Sequence, residues 1–141
     1  MASRSMIRSQ SNSSKSAYSN ITLNQLKKMD SYRFEHFVAN VMRLQGYQNV
    51  KVTPRGPDGG KDIIMYNDAG KVFVECKRYN NKAISKEQIQ KLHSAIVHEK
   101  AYKGVFVTTS HFTKTCYSYA RAENIELIDG TKLISLCSNS M

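Results

Sequence analysis

Residues 61–78 read KDIIMYNDAGKVFVECKR, and this stretch decides the fold. Two runs rich in apolar and β-branched residues flank the segment Asn67-Asp68-Ala69-Gly70, whose composition suits a tight turn. The pattern therefore predicts a β-hairpin with strands at 61–66 and 71–78. A further short β-like run at 49–54 precedes it.

The predicted turn also determines which residues face each other across the hairpin. If Asn67 pairs with Gly70, cross-strand partners have numbers that sum to 137. A four-residue loop keeps this register, whereas a three-residue loop would shift it. In the first register Asp62 lies opposite Glu75, with Cβ atoms about 4.5–5.5 Å apart.

Strand alternation sorts the hairpin into two faces. Glu75 and Lys77 share the face of Asp62, and Gly60 lies opposite Lys77, where no side chain blocks an approaching sugar-phosphate backbone. The other face is wholly apolar and consists of Ile63, Met65, Val72, Val74 and Cys76. The hairpin thus separates a core-facing side from a chemically active side.

Two opposed carboxylates repel each other unless a cation lies between them. Asp62 and Glu75 offer hard oxygen ligands, and Mg²⁺ commonly uses one or two carboxylates together with water and phosphate oxygens. The backbone carbonyl of Cys76 is a plausible third ligand. We therefore predict a Mg²⁺ site that also accepts Mn²⁺, with Lys77 placed to activate water and offset transition-state charge.

The remaining patterns predict alternating helices and strands. A helix starts at Asp30 or Ser31 and ends at Gly46, and a second helix follows a capping box formed by Ser85 and Gln88. Their apolar stripes are Phe34, Phe37, Val38, Val41 and Met42 in the first helix and Ile89, Leu92, His93, Ile96 and Val97 in the second. A strand at Gly104–Thr109, a helix near 113–123, a strand near 125–128 and a short helix around Leu133 complete an αβββαβαβ order.

Composition limits the class of protein and of partner. The 141 residues suit one domain, and a formal net charge of +10 favours polyanionic partners. Residues 1–20 are rich in serine and predict a flexible basic tail that superficially resembles a transit peptide, so residues 21–141 form the expected domain. Three widely spaced cysteines and no long apolar run predict a cytoplasmic or nucleoid-associated protein with no membrane partner, and mitochondrial targeting is the less favoured reading.

A basic rim surrounds the predicted site and points to nucleic acid. Lysines and arginines on or near the hairpin strands would bind phosphates without reading sequence. The residues assigned to DNA binding are Arg55, Gly60, Lys61, Arg78, Tyr79 and Lys82, and Lys51 and Lys71 add to the same rim. The Tyr79 ring is suited to stacking on an unpaired base.

The segments Gly56–Asp62 and Glu75–Tyr79 together resemble the Mrr-type restriction endonuclease catalytic domain of the PD-(D/E)xK superfamily. The resemblance extends over roughly residues 30–135. It implies an α/β fold with an αβββαβ core, a mixed central sheet flanked by helices, and Mg²⁺-dependent cleavage of DNA that leaves a 5′-phosphate. It also implies metal ligation by Asp62 and Glu75.

The same resemblance assigns further roles. Lys77 matches the catalytic lysine, Glu35 an outer carboxylate that reaches the metal directly or through water, and Gln90 a glutamine that faces the site. Domains of this type often carry glutamine at the position of Glu75, and a glutamate there strengthens metal binding. The dipeptide Pro57-Asp58 matches the letters PD of the superfamily name. Asp62 is nevertheless the favoured metal ligand, because Asp58 falls beyond the paired strands.

Several functions remain open from the sequence. A restriction or defence endonuclease leads, and the alternatives are a junction-type structure-specific nuclease, an inactive DNA-binding module of the same fold, and an RNA-directed nuclease. A cluster of hydroxyls, Thr108, Thr109, Ser110 and Thr113, suits either a bound phosphate or ordinary helix capping. One centre cuts one strand, so cleavage of a duplex predicts a homodimer or higher homo-oligomer.

Overall fold

A computed structural model of the chain describes residues 18, 20–54 and 61–139. Its strands are β1 (Gln48–Val52), β2 (Ile63–Asn67), β3 (Gly70–Lys77), β4 (Lys103–Thr108) and β5 (Ile125–Ile128). Its helices are α1 (Leu23–Lys27), α2 (Ser31–Leu44), α3 (Lys86–Glu99), α4 (Lys114–Ala122) and α5 (Gly130–Asn139). The predicted element order is confirmed, with α1 as an addition.

The strands form one mixed sheet in the order β1-β2-β3-β4-β5. β1, β2 and β3 pair antiparallel, whereas β3, β4 and β5 pair parallel. The long connections through α3 and α4 make the parallel pairs possible, because parallel neighbours need a crossover. The predicted α/β class with a mixed sheet is therefore confirmed.

Helices cover the two faces of the sheet and create two cores. The first core holds the apolar face of the hairpin together with α2, Leu26 of α1, and Leu133 and Cys137 of α5. The second core lies under α3 and α4 and includes Phe73 and Phe106. All five predicted apolar residues of the hairpin are buried in the first core.

Helix capping explains where the two longest helices begin. The Asp30 side chain accepts a hydrogen bond from the Arg33 amide at 2.7 Å, and Ser85 and Gln88 form the predicted capping box. The prediction that Val97 belongs to the buried stripe of α3 is wrong, because this side chain is 64% exposed. Val97 lies about 80° around the helix from Ile89, at the margin of the stripe.

Tyr18, the first residue that the structure describes, packs against the first core. Within the predicted tail, the Tyr18 ring packs edge-on against Phe37 with centroids 5.3 Å apart. Residues 1–17 and Ser19 lie outside the described residues, so the tail itself stays a prediction. Within the described ranges, no helix combines the length and apolarity needed to cross a bilayer.

Gly130 begins α5 where the chain passes close to Thr109, the residue after β4. A Cβ at this position would lie 2.5 Å from the Thr109 carbonyl oxygen, a backbone atom that cannot rotate away. We expect Gly130→Ala to lower the free energy of unfolding by about 1–3 kcal/mol through overpacking. Urea denaturation measures this value, and Thr131→Ala, an exposed change in the same helical turn, should stay within about 0.5 kcal/mol of wild type. Equal stability of the two variants would contradict the assigned clash.

Candidate active site

The hairpin has the predicted register. Asn67 pairs with Gly70 and Ile63 with Val74, so the paired numbers sum to 137. β2 begins at Ile63 and not at residue 61. The Asp62 amide donates to the Val74 carbonyl at 2.7 Å, although Val74 is already the ladder partner of Ile63. Regular strand pairing therefore ends at Ile63. Asp62 is therefore the residue just before the paired strand, still beside Glu75.

The Asp62 side chain is fixed by a backbone amide. Its Oδ2 atom accepts a hydrogen bond from the Cys76 amide at 2.8 Å, so the carboxylate bridges the ends of β2 and β3. The Asp62 carbonyl accepts from the Thr53 amide at 2.8 Å and lies 3.2 Å from the Thr53 hydroxyl, which ties it to the end of β1. Three strand ends thus position one carboxylate.

Glu75 lies next to this carboxylate and is largely buried. Its side chain is 14% exposed, and burial, followed by the charge of Asp62, raises the pKa of Glu75 to about 7. The Lys77 ammonium lies 3.5 Å from the Glu75 carboxylate and acts in the opposite direction. The three predicted residues Asp62, Glu75 and Lys77 are brought together as expected.

The donor set suits a hard divalent cation. Asp62 and Glu75 supply oxygen ligands, and a glutamate with a pKa near 7 gives up its proton readily when a cation binds. The Cys76 amide points toward Asp62, and in an extended strand the carbonyl of the same residue leaves on the same side. Among the described residues no group of three or more His, Cys, Asp and Glu side chains converges, so carbonyl and water oxygens would complete the coordination.

Glu35 lies on α2 and Gln90 on α3, two helices that pack in the first and the second core. Burial raises the pKa of the Cys76 thiol, and the charges of Asp62, Glu75 and Glu35 raise it further. Because the charge of Glu35 acts on Cys76, this residue of α2 lies near the site. Gln90 is half-buried on α3, one residue after the buried Ile89. The outer-ligand role of Glu35 and the site-facing role of Gln90 stay predictions.

Two buried threonines support the end of β3. The Thr108 hydroxyl donates to the Lys77 carbonyl at 2.7 Å, and the Thr109 hydroxyl donates to the Tyr79 carbonyl at 2.6 Å. Thr113 occupies the N-cap position of α4, but its side chain makes no capping hydrogen bond to the helix. The hydroxyls at 108 and 109 therefore hold the backbone that carries Lys77, a role that the sequence did not reveal.

The predicted basic rim is only partly exposed. Lys61 forms a 2.6 Å ion pair with Glu99 and lies 5.1 Å above the Phe73 ring. Arg78 is half-buried and donates from Nη1 to the Lys27 carbonyl at 2.8 Å. These two side chains make intramolecular contacts that the prediction did not include, because each can reach a partner on a neighbouring helix.

Other rim residues stand nearer to solvent. The Lys82 ammonium lies 5.6 Å above the Tyr79 ring, and the Tyr79 hydroxyl accepts a hydrogen bond from Gln88 at 3.1 Å. Arg55 and Gly60 lie outside the described residues, as does Asp58. The assignment of this rim to DNA binding stays a prediction.

Helix α1 is the element that sequence reasoning missed. Thr22 and Gln25 form a capping box, and Leu26 is fully buried. The Arg78 bond joins the C-terminal end of α1 to the residue after Lys77. The T-x-x-Q spacing followed by an apolar residue was the available signal, but five residues are too few for a clear periodicity.

The raised pKa of Glu75 predicts a pH-dependent stability in the presence of a chelator. Because the folded protein binds this proton more tightly than the unfolded chain, stability present below about pH 4.5 is lost as the pH rises through about 7. We expect wild type to lose on the order of 1–3 kcal/mol relative to Glu75→Gln over this interval. Thermal melts between pH 4 and 8 measure the difference, and Mg²⁺ should restore wild-type stability at pH 8. Parallel pH profiles of the two proteins would contradict the assignment.

A model of a known protein family matches most of the chain. The Mrr_cat family model, described as a restriction endonuclease, matches residues 26–137. The type IV methyl-directed restriction enzyme EcoKMrr of Escherichia coli K12 is 33% identical over 122 residues, which covers 81% of this chain and 40% of that protein. An uncharacterised protein, y4cE of Sinorhizobium fredii, is 28% identical over 111 residues and is covered over 28% of its length. The chain therefore spans less than half the length of these relatives.

Solved structures share the fold. The DNA modification-dependent restriction endonuclease AspBHI superposes with a TM-score of 0.67 at 22% identity, over 89% of this chain and 35% of that chain. The restriction endonuclease MspJI, solved in complex with a 27-mer oligonucleotide, superposes with a TM-score of 0.64 at 21% identity, over 81% of this chain and 30% of that chain. These likenesses show a common architecture.

Proposed function

This chain belongs to the Mrr-type restriction endonuclease family, and we propose that it is a Mg²⁺-dependent endonuclease that hydrolyses DNA phosphodiester bonds. One observation carries the proposal: Asp62 is held by the Cys76 amide beside Glu75, with the Lys77 ammonium 3.5 Å from that second carboxylate. Two adjacent carboxylates can hold a divalent cation that assists phosphodiester hydrolysis, and a neighbouring lysine can stabilise the negative charge that develops on the phosphate.

Asp62, Glu75 and the Cys76 carbonyl would hold the ion, with Glu35 reached through water. Bound Mg²⁺ would polarise a phosphate oxygen and favour ionisation of a coordinated water. Lys77, half-exposed and oriented by Glu75, would position the attacking water and stabilise negative charge that develops on the phosphate. Thr108 would act as a positioning residue because it fixes the Lys77 carbonyl.

The choice of DNA follows from charge and from the relatives. A net charge of +10 favours a polyanion, and EcoKMrr and AspBHI bear names that specify methyl-directed or modification-dependent restriction. Modified duplex DNA is therefore the first substrate to test. A homodimer would bring together the two centres that a double-strand cut needs.

The decisive variant is Asp62→Asn, because the amide oxygen can still accept the hydrogen bond from Cys76 while the negative charge is lost. We expect Asp62→Asn and Lys77→Ala to fold like wild type and to cut supercoiled plasmid in Mg²⁺ at least about 100-fold more slowly. Lys91→Ala, which removes an exposed lysine of α3, should cut at the wild-type rate. Gel electrophoresis of methylated and unmethylated plasmid, with Mn²⁺ and chelator arms, measures these rates.

Cleavage that persists in both variants would reject this site. A wild-type protein that binds DNA with a steep salt dependence but never cuts would establish the inactive DNA-binding module instead. Faster cutting of RNA than of DNA would replace DNA by RNA as the substrate. The second and third results thus each identify one of the functions that the sequence left open.

A further inference from the structure

A second surface adjoins the candidate active site on the same side of the sheet. The core under α3 and α4 buries residues of β3, β4 and β5, whereas Ile64 of β2 only borders it. Among the described residues, no helix contributes to a core on the part of this face that belongs to β1 and β2. A cleft of about 440 Å³ lies there, within the roughly 300–1,000 Å³ range of small-molecule sites.

The lining of this cleft combines an aromatic ring, an apolar floor and a cation. Tyr66 and Ile64 of β2 and Lys51 of β1 contribute to it, with Pro54 at one end. Lys51 pairs directly with Ile64, so the two side chains share a face. Lys51 is exposed, and within the described residues no carboxylate forms an ion pair with it. An aromatic platform beside a cation is the combination that binds unpaired nucleotides.

The cleft is also continuous with the catalytic residues. Thr53 lines it, and its amide donates to the Asp62 carbonyl at 2.8 Å. Lys51 is two residues from Thr53, and Ile64 is two residues from Asp62. Along an extended strand this separation corresponds to about 7 Å. A DNA strand whose phosphate lies at Asp62 would therefore bring an adjacent nucleotide to Lys51 and Tyr66.

We propose that this cleft binds one unpaired nucleotide next to the bond that is cut, with Tyr66 stacking on the base and Lys51 binding a phosphate. The inference rests on the proposed function and specifies its substrate. A base inside a duplex is covered on both faces by its neighbours, so only an unpaired or extruded base can offer its face to Tyr66. DNA with an unpaired nucleotide beside the cut is then the preferred form.

Binding measured without cleavage tests this inference. Fluorescence anisotropy in a chelating buffer would compare a perfect duplex with the same duplex that carries one unpaired nucleotide. We expect wild type to prefer the second DNA by about 5- to 100-fold, and Tyr66→Ala to lose this preference while its affinity for the perfect duplex is unchanged. Tyr66→Phe keeps the ring and should keep the preference, which also shows that the position tolerates substitution.

Two further variants separate stacking from charge. Lys51→Ala should weaken binding to both DNAs and reduce the salt slope by about one. Tyr117→Ala serves as the matched control, because Tyr117 is a 43% exposed tyrosine on α4, which packs against β5 at the other edge of the sheet. It should bind both DNAs like wild type.

The outcomes distinguish this inference from the proposed function. Equal affinity of wild type for the two DNAs, or an undiminished preference in Tyr66→Ala, would overturn the nucleotide site even if the protein cuts plasmid in Mg²⁺. A preference that depends on Tyr66 in a protein that never cuts would support the nucleotide site and reject the nuclease. Absence of DNA binding by wild type would reject both.

Discussion

The hydrogen bond from the Cys76 amide to the Asp62 carboxylate is the interaction on which the rest of the site depends. It takes the place of a ladder bond at the point where β2 stops pairing with β3. Because Asp62 is thereby held beside Glu75, two carboxyl groups share one partly buried space, and burial together with the charge of Asp62 raises the pKa of Glu75. The fold thus maintains an electrostatic conflict that a divalent cation would relieve.

One face of the hairpin packs in the hydrophobic core, and the other face carries the candidate catalytic residues. One face of the hairpin is fully apolar and buried under α2 and α5, and it supplies the packing that fixes the register. A slip of one residue would expose this entire set and would also separate Asp62 from Glu75. The same hydrophobic pattern that selects the fold therefore selects the geometry of the candidate site.

The predictable part of the structure comes from strong local signals. The turn at Asn67–Gly70 and the alternation along β3 were sufficient to place Asp62 beside Glu75, since a strand period of two leaves few registers, but the end of regular pairing at Ile63 was not predicted. The contacts of Arg78 and Lys61 were not predictable, because their partners, the Lys27 carbonyl and Glu99, are distant in sequence and meet them only after the helices pack. The threonine hydroxyls at 108 and 109 were ambiguous for the same reason: their acceptors lie at the end of β3 and just beyond it, about 30 residues away in sequence.

The hydrogen bond from Arg78 to the Lys27 carbonyl joins the end of β3 to helix α1. Arg78 follows Lys77 directly, and its guanidinium is attached to the end of a helix of five residues whose other end approaches Gly130 through Leu23. Helix α1 therefore connects the residue that follows β3 with the start of α5. A change in the packing of this short helix would therefore act on the backbone one residue beyond the lysine that we place at the reacting phosphate.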